Sequence, residues 1–110
     1  MDDADRPVEL DDAAGLDAFV AANDPALVMF YTSGCTICAS MDPVLDAVAR
    51  STDAAVATIN PRDDPPLIER FDVQSVPLLV LFREGAPVAR RADGFVPIAE
   101  ATDFVSRPES

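Results

Sequence analysis

The stretch Leu27-Val28-Met29-Phe30-Tyr31-Thr32-Ser33-Gly34-Cys35-Thr36-Ile37-Cys38 decides how this chain is read. Its first five residues form an uninterrupted apolar run of strand length, the pattern of a strand buried on both faces. Thr32-Ser33-Gly34 breaks the run. From Cys35 to about Arg50 the spacing turns helical, with Cys38, Met41, Leu45, Val48 and Ala49 along one side. A strand, a tight crossing and a helix therefore bring the two cysteines, three positions apart, to the leading end of a helix.

Before this unit, Val8-Glu9-Leu10 reads as a short first strand. Asp11 or Asp12 then offers an N-cap for a helix whose stripe is Leu16, Phe19 and Val20, ending near Asn23-Asp24-Pro25. After it, Ala54 to Ile59 reads as a strand, Asn60 to Pro66 as loop, and Leu67 to Phe71 as a short helix. Leu78 to Phe82 is a third apolar strand, and Glu84-Gly85 turns the chain into Val88 to Ala92. Gly94 breaks that segment, and Pro97 opens a last helix with Ile98, Ala101, Thr102 and Val105 on one face. The predicted order is β-α-β-α-β-α-β-β-α. It gives an α/β fold with a mixed sheet, parallel first and closing in an antiparallel hairpin, with helices on both faces. The 110 residues suit a single domain, with frayed termini at 1–7 and 107–110.

Cys35-Thr36-Ile37-Cys38 carries the chemistry. At a helix start, unpaired backbone N–H groups and the positive end of the helix dipole stabilise a thiolate at Cys35. Cys38 lies one turn further in, where its sulfur can reach back. Attack by Cys35 on a disulfide gives a mixed disulfide, and Cys38 resolves it, leaving Cys35 and Cys38 oxidised. Two plainer readings compete. A stapling disulfide, or a pair of inert core thiols, needs no reactivity, although a loop this small gains little chain-entropy stabilisation. Half of a metal site is the other, but no further Cys and no His exists in the chain, so zinc or iron–sulfur binding would require a second copy. The missing histidine also removes His-based nucleophile activation and imidazole proton shuttling.

Twenty acidic residues face eight basic ones, for a net charge of −12; fifteen of the acids are Asp, and all the bases are Arg. That sign repels nucleic acid and anionic lipid, so neither is expected as a partner. The acids are spread along the chain, which fits a solvated anionic shell better than a docking face for a basic partner. An Asp-rich, Lys-free, Ala- and Val-rich composition resembles that of proteins from salt-accumulating halophiles. No apolar stretch reaches the ~18 residues of a membrane span. Met1-Asp2-Asp3-Ala4-Asp5 is acidic where a secretory signal is basic and then apolar. A cytoplasmic monomer is expected.

Roughly from Val8 to Val105, the chain resembles thioredoxins. Beyond the cysteines, the likeness lies in Pro43, eight positions after Cys35, where the family's active-site helix is kinked. It lies also in Val73-Gln74-Ser75-Val76-Pro77 followed by Leu78 to Gly85, and in Gly94 before the last helix. The resemblance implies a thioredoxin fold of four to five strands flanked by about four helices. It implies a protein-disulfide oxidoreductase with Cys35 and Cys38 as catalytic pair, no cofactor and no metal, disulfide-containing proteins as substrates, and a thioredoxin-reductase-like electron donor. It further implies a cis Pro77 beside Cys35, with Tyr31, Gly34, Val76 and Pro77 as the substrate-binding residues; the Val76 backbone would accept an extended peptide as an added strand.

Departures from the pattern are also visible. Thr36-Ile37 replaces the family's Gly-Pro, and there is no Trp; Tyr31 takes the place of one of the usual tryptophans. Met29 stands where the family keeps a buried carboxylate, and about Thr58 where it keeps the partnering lysine. Proton removal from Cys38 then falls to water or the departing thiolate, which slows resolution. Tyr31 to Cys35 also resembles glutaredoxins, although the length and the strand after Pro77 fit thioredoxin better. A further alternative is a thioredoxin-fold binding module without general reductase activity.

Overall fold

The computed structural model describes residues 6–106. Of the termini expected to fray, 1–7 and 107–110, residues 1–5 and 107–110 lie outside the described residues. Five strands form one sheet in the order β1-β3-β2-β4-β5: β1 (Val8–Leu10), β2 (Ala26–Phe30), β3 (Ala55–Ile59), β4 (Leu78–Arg83) and β5 (Ala86–Arg91). β3 runs parallel to both β1 and β2, while β4 is antiparallel to β2 and to β5. The helices are α1 (Ala13–Ala22), α2 (Thr36–Ser40), α3 (Asp42–Ser51), α4 (Pro66–Arg70) and α5 (Ile98–Ser106).

Strand β2 is apolar throughout because it lies at the centre of the sheet and both of its faces are covered. Alternation sends Leu27 and Met29 into a cluster with Val44, Leu45 and Val48 of α3 and Ala101 and Val105 of α5. Ala26, Val28 and Phe30 go to the opposite face, among Leu16 and Val20 of α1 and Leu67 of α4. On that second face Phe71 bridges Phe30 and Phe82, with ring centroids 5.1 and 5.9 Å away respectively. Asp12 caps α1 by accepting the Gly15 N–H at 2.8 Å, and Asp64 accepts the Ala13 N–H at 2.9 Å, tying the segment before α4 to the same helix end.

Several expected boundaries move, each for a local reason. The helix expected over Cys35 to Arg50 is two helices divided at Met41. Pro43 has no N–H to donate to the preceding turn, and the Met41 N–H bonds the Cys38 carbonyl at 3.0 Å before α3 starts. A single 3-10 turn, Pro61–Asp63, occupies the expected loop, capped by the Asn60 side chain on the Arg62 N–H. β5 starts at Ala86, earlier than expected, and accommodates Pro87 because it is an edge strand; a register shift lies opposite, between Leu81 and Phe82. Glu84 and Gly85 both have positive φ, 55° and 80°, the hand that a two-residue hairpin turn requires. Pro97 opens α5 as anticipated, its carbonyl accepting the Ala101 N–H at 2.9 Å.

Candidate active site

Tyr31 continues the line of β2 by donating its N–H to the Ile59 carbonyl at 3.0 Å, and the chain then leaves the sheet. Gly34 makes the crossing with φ 82°, a left-handed conformation in which a side chain would be strained by the backbone itself, since a Cβ there meets no neighbour. Cys35 is extended and sits immediately before α2. Its Sγ accepts the Cys38 backbone N–H at 3.1 Å, so the sulfur occupies the place of an N-cap oxygen.

Cys35 and Cys38 are joined by a disulfide, with Cα atoms 5.2 Å apart, within the ordinary span for such a bond. The two sulfurs live in different surroundings. Cys38 is only 3% exposed, within the cluster of Met29, Met41 and Leu45, whereas Cys35 packs on the edge of that cluster and still reaches solvent. Among the described residues none with a polar or charged side chain is buried, and Met29 is 2% exposed in register with Thr58 on β3. The interior behind Cys38 is therefore apolar where a carboxylate would be needed to take its proton. Among the described residues no three His, Cys, Asp or Glu side chains gather as a metal site.

Tyr31, Cys35 and Val76 all pack against the cluster that contains Cys38. The Val76–Pro77 peptide bond is cis. Val76 is half-buried and lies just outside the ladder, because the β2–β4 pairing ends at Phe30 opposite Leu78. Pro77 itself is buried, and Gly34 is exposed at the crossing.

Three residues went unassigned in the sequence reading. Ile37, between the cysteines, is 47% exposed and Phe95 is 50% exposed; the neighbouring Val96 N–H reaches Met41 Sδ at 3.4 Å, which draws the loop after Gly94 to the end of α2. A large apolar residue directly after a loop glycine is the signal that would have marked Phe95. Glu9 is the third. Its carboxylate accepts the Tyr31 hydroxyl, a contact that pushes the Tyr31 pKa up to about 12, with burial and the charges of Glu9, Asp63 and Asp11 adding to the shift.

The thioredoxin family model matches residues 7–107. The chain belongs to the thioredoxin family. It is 35% identical over 85 residues to the thioredoxin of Mycobacterium tuberculosis, an alignment covering 76% of this chain and 73% of that one. It is 32% identical over 85 residues to the bifunctional thioredoxin reductase/thioredoxin of Mycobacterium leprae, covering 76% of this chain and 19% of that protein. Among solved structures, a mutant thioredoxin from Halobacterium salinarum superposes with a TM-score of 0.91 at 30% identity, over 100% of this chain and 96% of that one. Mitochondrial thioredoxin 3 from Saccharomyces cerevisiae, at 20% identity and a TM-score of 0.80 over 91% of this chain and 93% of that one, shares the fold. Family membership and the paired Cys35 and Cys38 make this thioredoxin-family chain a thiol–disulfide oxidoreductase.

Proposed function

We propose that the chain reduces protein disulfides, with Cys35 as the attacking thiolate and Cys38 as the resolving thiol. The observation that carries this reading is the asymmetry of the pair: Cys35 reaches solvent and its Sγ takes a backbone N–H at 3.1 Å, while Cys38 is sealed in the core. A hydrogen bond to the anionic form favours that form. In the first step the Cys35 thiolate bonds to one sulfur of the target disulfide, and the other sulfur leaves as a thiolate. In the second, the Cys38 sulfur loses its proton and attacks Cys35 Sγ; the Cys35–Cys38 bond forms and the target departs as its second thiolate. Two electrons pass to the target, and a dithiol donor must return them.

Val76 and Pro77 form the proposed substrate edge. Lying just beyond the ladder, the Val76 backbone is placed to pair with an extended segment around the target disulfide, while Pro77 adds no competing donor. Gly34 leaves room beside Cys35, and Tyr31 walls the site. A thioredoxin-reductase-type donor is the proposed electron source, supported by the fusion named in the Mycobacterium leprae relative. Insulin reduction with dithiothreitol tests the reading. Turnover above the dithiothreitol background is expected, and its absence would favour a binding module on the same fold.

Thr36-Ile37 lacks the family's proline, and we expect a potential less reducing than the about −270 mV of thioredoxin. Equilibration with a glutathione buffer measures it, and a value at or below that figure refutes the expectation. A cytoplasmic monomer completes the proposal, and the −12 charge and the likeness to the Halobacterium salinarum protein support its working in high salt. Ion pairs such as Arg70–Asp17 and Arg91–Glu100 are exposed and contribute little, so screening of the acidic surplus dominates the response to salt. Thermal unfolding should shift to markedly higher temperature in molar KCl; an unchanged midpoint from dilute buffer to molar salt contradicts this.

A further inference from the structure

Glu9, Thr58, Met29 and Leu79 are register neighbours across β1, β3, β2 and β4. Side chains at paired positions leave the sheet on the same face, and here that is the face where Met29 and Leu79 pack with Cys38. Tyr31 lies two residues beyond Met29, leaves by the same face and packs against the same cluster. β1 and β2 are separated by β3, so their backbones lie about 9.5 Å apart. A phenol and a glutamate together close that distance, and the Tyr31 hydroxyl donates to the Glu9 carboxylate. Nothing in the packing of β1 requires this carboxylate, since Glu9 is exposed.

We propose that Glu9 is a positioning residue for disulfide exchange: from strand β1 its carboxylate holds the Tyr31 ring as a fixed wall of the site that contains Cys35 and Cys38. The role rests on the exchange reading above. Tyr31 is half-buried: its ring packs on the cluster, and its hydroxyl is tied to Glu9 by this hydrogen bond. Without the bond the ring turns about its χ angles, and an incoming peptide must order it. That cost falls on substrate binding. The sulfur chemistry, which uses the Cys38 N–H and not the phenol, is spared.

The test is a cycle of Glu9→Ala, Tyr31→Phe and the double variant, with Glu9→Gln as the conservative replacement, read as KM and kcat for a protein disulfide. Glu9→Ala and Tyr31→Phe should each raise KM about three- to tenfold with kcat little changed, and the double variant should be no worse than either. Glu9→Gln, whose amide oxygen still accepts the hydroxyl, should restore KM. Tyr31 is the chain's one tyrosine and there is no tryptophan, so near-ultraviolet phenolate absorbance reports it alone. Releasing it from Glu9 should lower its ionisation from about 12 toward the ordinary tyrosine range, with Asp11 and Asp63 still holding it somewhat high. An unchanged KM in Glu9→Ala, additive losses in the double variant, or a Glu9→Gln as impaired as Glu9→Ala would each overturn the role. Absence of turnover in the unmodified chain would instead overturn the exchange reading, and the tyrosine titration would then still decide whether Glu9 holds Tyr31.

Discussion

Cys35→Ser should abolish reduction of a protein disulfide, and Cys38→Ser should stop the same cycle one step later, with the target bonded to Cys35. The expected fall for each is on the order of a thousandfold or more, as for other enzymes deprived of a member of their nucleophilic unit. The two failures differ because the sulfurs differ. Cys35 reaches solvent and, on the proposed roles, is the sulfur that attacks the target, so nothing should begin without it. Cys38 is 3% exposed and is proposed to act second; with serine in its place no sulfur should remain to release the adduct. Non-reducing mass spectrometry separates the cases: Cys38→Ser should accumulate a mixed disulfide, and Cys35→Ser should not. A mixed disulfide on Cys38 in the Cys35→Ser protein would reverse the roles.

Phe30→Ala should cost about 3–5 kcal/mol, the range for removing a buried phenylalanine from a close-packed core. A domain of this size has only about 5–15 kcal/mol in total, so the variant should sit near its unfolding threshold. Phe30 is fully buried at the end of the central strand and meets Phe71 in a tilted pair, and Phe71 in turn meets Phe82; truncating it strips one side of a three-ring contact. A volume-conserving change such as Met29→Leu, in the cluster on the other face, should cost less than about 1.5 kcal/mol. Urea unfolding checks both. Because Phe30 faces away from Cys38, the fraction of Phe30→Ala that stays folded should keep its activity, and a loss of activity without loss of stability would contradict the division of the core into two faces.

The strand-to-helix unit was legible because Leu27 to Phe30 form an apolar run that must be buried on both faces and Thr32-Ser33-Gly34 breaks it before the cysteines. The break at Met41 was not legible from the apolar stripe, which runs through Met41, Leu45 and Val48 without pause; the kink came only from the resemblance that Pro43 carries. Strand β5 begins earlier than its hydrophobic pattern suggests, since Pro87 looks like an interruption and becomes acceptable only once the strand is known to be an edge. The position of β3 between β1 and β2 is a long-range fact that no local pattern encodes. Glu9 stayed invisible for the same reason: its partner is 22 residues away, and the contact exists only because of that strand order. In the site, Cys35 and Cys38 were readable from spacing and the apolar character of Met29 from its identity. The exposure of Ile37 and Phe95 depended on how the loops close around α2.

On the proposed roles, the start of α2 holds the Cys35 sulfur as an anion while the core keeps Cys38 protonated. Alkylation of the reduced protein by iodoacetamide as a function of pH, with the modified cysteine located by peptide mass, measures it directly. Cys35 should react first, with a midpoint below the about 8.5 of an ordinary cysteine, and Cys38 should stay unmodified in the folded protein over the same range. A Cys35 midpoint at or above that value, or earlier reaction at Cys38, would contradict it.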